Sequence, residues 1–113
     1  MKHLRIYSDA LRLVALTRPL WTTLAKNGQR DLSRQLKRCA PSVALNIAEG
    51  AGRYDGNGRL RFETAMGSAR ETIACLEVAV AMGATGPAEV AEAVDCADKV
   101  VATLWNITKR RRA

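Results

Sequence analysis

The sequence predicts an all-α protein, an antiparallel up-down four-helix bundle, on three observations. Glycine-bearing breaks cut the 113 residues into four stretches of helical length. Apolar residues within each stretch recur at three- and four-residue steps, and no stretch shows the strict alternation of a half-buried strand. Hydrophobic residues make up 48% of the chain but aromatics only 4%, so a core must be built from Leu, Val, Ile and Ala, which suits closely packed helices. With no low-complexity linker in sight, residues 1–113 read as one domain, a size at which a single core is sustainable.

The breaks are Asn27-Gly28, then Gly50-Ala51-Gly52 running into Asp55-Gly56-Asn57-Gly58, then Gly83-Ala84-Thr85-Gly86-Pro87, where Pro suits the start of a new helix. The first helix is expected from Ser8, a capping residue, to Ala25, with Ala10, Leu13, Val14, Thr17, Leu20, Trp21 and Leu24 inward and a kink or split at Pro19. The second runs from Asp31 to Gly50 or Arg53, with Leu32, Leu36, Cys39, Ala40, Val43 and Ile47 on one face and a bend at Pro41. The third runs from Arg59 to Met82 on Phe62, Met66, Ala69, Ile73, Leu76 and Val80. Beside that face lie the small residues Ala65, Ser68, Thr72, Cys75 and Ala79, which suit either a tight intramolecular contact or a subunit interface. The fourth runs from Pro87 to Lys109 on Val90, Val94, Ala97, Val101 and Leu104, its early Glu89 and Glu92 and its late bases matching the helix dipole. Four such helices with short connections fold as an up-down bundle.

Charge is distributed unevenly. Residues 1–61 hold twelve Lys/Arg against four Asp/Glu (+8), residues 62–108 hold two against seven (−5), and Lys109-Arg110-Arg111-Arg112 adds +4. Such asymmetry implies a basic surface for a polyanion, or basic and acidic faces that meet between subunits. The bases concentrate on Arg30, Arg34, Lys37 and Arg38, opposite the apolar face of the second helix, and on the tail Arg110, Arg111 and Arg112. A solvated outer face and a dipole complement are the alternative readings of these two groups. On the flank of the second helix Arg38, Ser42, Asn46, Glu49 and Arg53 form a polar stripe, and Glu49 and Arg53 have the i,i+4 spacing of a pair.

Several chemistries lack their residues. His3 is the only histidine and lies at the start of the chain, so no Ser/His/Asp or Cys/His set assembles, and the expectation is a protein that is not an enzyme. No metal-ligand spacing and no cofactor motif is present. The cluster from Gly50 to Gly56 ends a helix and is not followed by GK[ST], so it reads as a helix stop, not a nucleotide loop. Cys39, Cys75 and Cys96 are odd in number and far apart in sequence, and read as small hydrophobic core residues. No apolar run reaches the ~20 residues of a membrane span and the N-terminus lacks a signal-peptide pattern, so no membrane association and a cytoplasmic location are expected.

The stretches Gln35-Leu36-Lys37-Arg38-Cys39-Ala40, Ser42-Val43, Asn46-Ile47-Ala48-Glu49-Gly50 and Gly52-Arg53, followed by Phe62-Glu63-Thr64-Ala65-Met66-Gly67-Ser68-Ala69-Arg70-Glu71, resemble the signature of a bacterial family. It is the family of four-helix bundle proteins first noticed as products of intervening sequences in large-subunit ribosomal RNA genes, and the likeness covers nearly the whole chain. The resemblance implies a basic, barrel-shaped homopentamer without enzymatic activity, similar to the accessory protein of diversity-generating retroelements and proposed to bind nucleic acid. It marks Asn46, Glu49, Gly50, Arg53, Gly67, Ser68 and Glu71 as motif residues, for local hydrogen bonds at the corner of helices two and three or for a subunit contact. One departure is visible: the family commonly carries Pro at the position of Ala44, whereas here Pro41 precedes Ser42, which displaces the bend of the second helix.

Together these readings give a non-catalytic, basic, homo-oligomeric bundle that binds RNA or RNA/DNA as an accessory factor. The alternative is an adaptor whose basic face docks an acidic protein partner, such as a reverse transcriptase, without touching nucleic acid.

Overall fold

Periodic apolar stretches and three short connections give four helices: α1 (Leu4–Lys26), α2 (Arg30–Gly50), α3 (Gly56–Ala81) and α4 (Pro87–Arg112). The structure, a computed structural model, describes residues 4–53 and 55–112, with the side chains of Leu4, Arg111 and Arg112 left undescribed. His3 lies outside the described residues. There is no strand among the described residues, and no described helix is long and apolar enough to cross a membrane.

Three helix boundaries differ from expectation. Helix α1 begins at Leu4, so Ser8 lies within it, exposed, and does not cap it. The cause is Ile6, buried one turn before Ala10, which carries the core stripe further toward the N-terminus. Helix α3 begins at Gly56, because Asp55 caps it: Gly58 N–H donates to Asp55 Oδ1 at 2.9 Å. Glycines expected in a loop therefore form the first helical turn. Helix α4 continues through the basic tail to Arg112. Pro19 and Pro41 lie inside unbroken helices, so α1 is not split.

Each helix packs chiefly on two others, α1 on α2, α2 on α3, α3 on α4 and α4 on α1, which leaves α2 and α4 on opposite corners. Asn27 Nδ2 donates to Ala84 O at 3.2 Å, bringing the first and third connections to the same end of a body 44 × 21 × 20 Å. Leu13, Leu24, Leu36, Ile47, Phe62, Leu76 and Leu104 are fully buried between the helices. Burying each such side chain contributes about 1.5–3 kcal/mol. Three threonines share this core at little polar cost, since each hydroxyl donates to its own helix: Thr17 to Leu13 O at 2.9 Å, Thr72 to Ser68 O at 2.8 Å, Thr108 to Trp105 O at 3.1 Å.

The small-residue stripe of α3 lies within the subunit. Ala65, Thr72, Cys75 and Ala79 are buried, and Ser68 is half-buried. Ser42 and Ser68 share a hydrogen bond of 2.9 Å, and Thr72 Oγ1 lies 3.3 Å from Cys39 Sγ. Short side chains on both helices meet directly, so the backbones of α2 and α3 approach closely.

Candidate nucleic-acid interface

Because Leu36, Cys39, Ala40, Val43 and Ile47 turn one side of α2 into the core, Arg30, Arg34, Lys37 and Arg38 project from the other, all exposed. Arg34 Nη1 lies 3.7 Å from Asp31 Oδ1, and Arg38 Nη2 lies 3.6 Å from Glu71 Oε2. Exposed pairs of this kind are worth about 0–1 kcal/mol, so they leave the guanidinium groups available to a stronger anion. Helix α1 widens the basic face. Ser33 Oγ donates to Trp21 O at 2.5 Å, which sets the level of α1 against α2. Arg18, one turn before Trp21, is thereby level with Lys37, one turn after Ser33. Lys26 ends α1 beside Arg30, and residues 10–30 contain no Asp or Glu. Arg18 and Lys26 were not among the sequence-derived candidates. The acid-free run of α1 was the available signal.

The seven basic candidates do not form one site. Arg110 is exposed near the end of α4, a helix of 26 residues that begins beside the connection adjoining Arg30. At 1.5 Å per residue, the 23 residues from Pro87 to Arg110 put it about 35 Å away along the helix. The side chains of Arg111 and Arg112 lie outside the described residues. Trp105, 45% exposed and one turn before Lys109, adds an aromatic surface near this second basic group, of the kind on which bases stack.

The acids take the opposite corner. Glu89, Glu92, Asp95 and Asp98 are exposed on the first half of α4, and Glu92 Oε2 accepts from Arg12 Nη2 at 2.8 Å. The charge imbalance along the sequence thus becomes a charge separation across the bundle, with basic α2 diagonal to acidic α4.

The motif residues line the α2–α3 seam and its corner. Asn46 Nδ2 donates to Ser42 O and Ser42 Oγ at 2.9 and 3.0 Å, Ser42 meets Ser68, and Glu71 Oε2 accepts from Gln35 Nε2 at 3.2 Å. Helix α2 ends at Gly50, so the helical i,i+4 geometry expected for Glu49 and Arg53 does not reach Arg53, whose N–H donates to Gly50 O at 3.2 Å. Gly50 is helical and needs its missing Cβ for packing, whereas Gly52, at φ 81°, supplies the left-handed turn. Glu49 and Gly67 are exposed.

Outward on α3, Leu60, Gly67, Ala74 and Ala81 recur every seven residues and are all exposed, with Val78 beside them. Leu60 is 59% exposed and Val78 46%, and a Cβ on Gly67 would meet nothing within 4 Å. This apolar face, not the buried small-residue stripe, is the surface that α3 leaves unpartnered.

Two cysteines far apart in sequence are neighbours in the seam. Cys75 lowers the Cys39 pKa to about 7, while Cys39 and burial raise that of Cys75. Cys96 is separate: its thiol donates to Asp9 O at 3.4 Å, between α4 and α1, and burial raises its pKa.

The model of the family described as 23S rRNA-intervening sequence protein matches residues 2–106. The fold is similar to a crystal structure of a protein with unknown function from the S23 ribosomal protein family of Bacteroides thetaiotaomicron VPI-5482. The TM-score is 0.84, with 18% identity over 92% of this chain and 98% of that chain. No curated protein matches.

Proposed function

The chain belongs to the 23S rRNA-intervening sequence protein family, and from that premise we propose that it is a non-catalytic, homo-oligomeric bundle that binds nucleic acid through α2 and the end of α1. The observation that carries this reading is the charge separation: Arg18, Lys26, Arg30, Arg34 and Lys37 are exposed on α1 and α2, and between residues 18 and 37 Asp31 is the one acid. Cations arrayed along a helix without matching acids suit a phosphate backbone, which attracts them without regard to base sequence. Accessory binding of RNA or an RNA/DNA hybrid fits such a surface.

The helices alternate in direction in this reading, supported by the pairs Ser42–Ser68 and Gln35–Glu71, in which numbers fall on α2 as they rise on α3. The assembly is a homopentamer. Support comes from the family resemblance and from the apolar outer face of α3, since a soluble helix apolar on both sides needs a second partner. Several copies would present several basic faces to one strand, raising affinity without any new contact.

The test is purification without nuclease, reading retained nucleic acid by absorbance and mass by light scattering. The reading requires a retained polyanion on an oligomer. A protein free of nucleic acid that also fails to shift labelled single-stranded RNA at low salt would leave the basic face to an acidic protein partner.

A further inference from the structure

The α2–α3 seam holds two nucleophilic side chains that nucleic-acid binding does not use. Cys39 projects from α2 and Cys75 from α3, and both are buried where the two helices meet. Thr72 Oγ1, one turn before Cys75 on the same buried face of α3, lies 3.3 Å from Cys39 Sγ and sets that sulfur against α3. The surrounding residues are small. Ser42, one turn after Cys39, reaches Ser68, one turn before Thr72, through side chains only two heavy atoms long. A disulfide needs Cβ atoms about 3.5–4.5 Å apart, and the short side chains of Ser42, Ser68 and Thr72 on either side of the cysteines favour that approach.

We propose that Cys39 and Cys75 are a two-thiol modification site, which a hydroperoxide oxidises to an intramolecular disulfide between α2 and α3. Cys39 is the attacking thiol: its sulfur lies 3.3 Å from the Thr72 hydroxyl, and Cys75, with Thr72, lowers its pKa to about 7, which favours the thiolate. Its sulfur attacks the peroxide; an S–O bond forms as the O–O bond breaks, and the departing oxygen takes a proton to become an alcohol, or water from hydrogen peroxide. Cys39 is now a sulfenic acid. The Cys75 sulfur attacks the Cys39 sulfur; the S–S bond forms, the S–O bond breaks, and the hydroxyl leaves with the Cys75 proton as water. Two thiols have lost two electrons and one peroxide has gained them. Cys96 hydrogen-bonds Asp9 O between α4 and α1 and takes no part, so it serves as an internal control.

The consequence is mechanical. The bridge ties together the two helices that carry the motif residues and closes the loop from residue 39 to residue 75. By the entropy such a loop removes from the unfolded chain, the thermal midpoint should rise by roughly 10 °C.

The experiment treats the full chain with hydrogen peroxide, blocks remaining thiols under denaturing conditions and maps the peptides by mass spectrometry. A linked Cys39–Cys75 peptide is expected, two hydrogens lighter than its parts and reversed by dithiothreitol, with Cys96 still alkylated. In Cys75→Ser, dimedone should trap a sulfenic acid at Cys39; in Cys39→Ser, Cys75 should stay unlabelled. Should either Ser variant lose its helical circular dichroism, the Ala variant at the same position replaces it. The proposal is overturned if both thiols remain alkylatable at millimolar peroxide, if the bridges formed link different subunits, or if Cys96 oxidises as fast as Cys39.

Discussion

Gly50 of α2 lies so close to Phe62 of α3 that a Cβ there would stand 2.9 Å from Cε1 of the ring and 3.1 Å from the Gly58 carbonyl oxygen. Phe62 is fully buried and Gly58 O belongs to the backbone, so neither can yield cheaply. Gly50→Ala should therefore lower stability by about 1–3 kcal/mol from overpacking, despite the better helix propensity of Ala. Urea unfolding measures this. Phe62→Leu should relieve part of the cost, giving a double variant less destabilised than the sum of the two singles.

Gly67 is the opposite case. It sits in mid-helix, exposed, with open space where a Cβ would be. In an isolated subunit Gly67→Ala should stabilise α3 by about 1 kcal/mol through helix propensity alone. In an assembly that uses the outer face of α3, the added methyl intrudes on the partner, and light scattering should show a lower mass at a given concentration. Higher stability with unchanged mass would exclude this face from the interface.

Above the ordinary thiol value of 9.0, Cys96 should contribute to alkaline sensitivity. Burial raises its folded pKa, so the unfolded chain releases the proton first and binds fewer protons than the native state. The contribution of Cys96 is intact below pH 9.0 and is lost as pH rises through the folded value. Thermal midpoints from pH 8 to 10.5 should fall less steeply for Cys96→Ala than for the parent chain. Parallel slopes would show that the Cys96 thiol titrates as in the unfolded state.

Periodicity made α2 legible. Of Leu32, Leu36, Cys39, Ala40, Val43 and Ile47, the residues its spacing turns inward, all are buried except Leu32, which is half-buried. In α4 the same reasoning chose Val94 and Val101, which are half-buried, over Ala93, Cys96 and Val100, which turn fully inward. An Ala-rich helix offers two apolar stripes one residue apart, and only the neighbouring helices decide between them. Asp55 is a cap whose following glycines imitate a loop. The contacts that define the candidate sites were the least legible, because they join distant positions. The Cys39–Cys75 meeting depends on the register of α2 against α3, and the addition of Arg18 to the α2 face depends on the bond from Ser33 to Trp21. The separation of Arg110 from Arg30 follows from which connections share an end, and the sequence alone does not carry that information.

The charge reversal Arg34→Glu with Lys37→Glu decides what the basic face is for. Both side chains are exposed on α2, and neither supports the core, so helical content should be unchanged. If they meet phosphates, RNA affinity falls at every sequence tested. The slope of log affinity against log salt then shrinks by about 0.7–0.9 for each lost contact. Arg110→Glu, at the far end of α4, should produce a smaller and separate loss, because a strand long enough to touch both groups must run the length of the bundle. In either variant the assembly should keep its mass. The competing outcome is loss of assembly in the α2 variant, which would mean that Arg34 and Lys37 pair with acids of a neighbouring copy. Glu92 and Asp95 of α4 are the natural partners, being exposed and on the opposite corner. Adding Glu92→Lys and Asp95→Lys would then restore the oligomer, whereas phosphate binding by α2 would gain nothing from those changes. Restoration of mass without restoration of RNA binding would assign the face to subunit pairing and remove the main support for a nucleic-acid role.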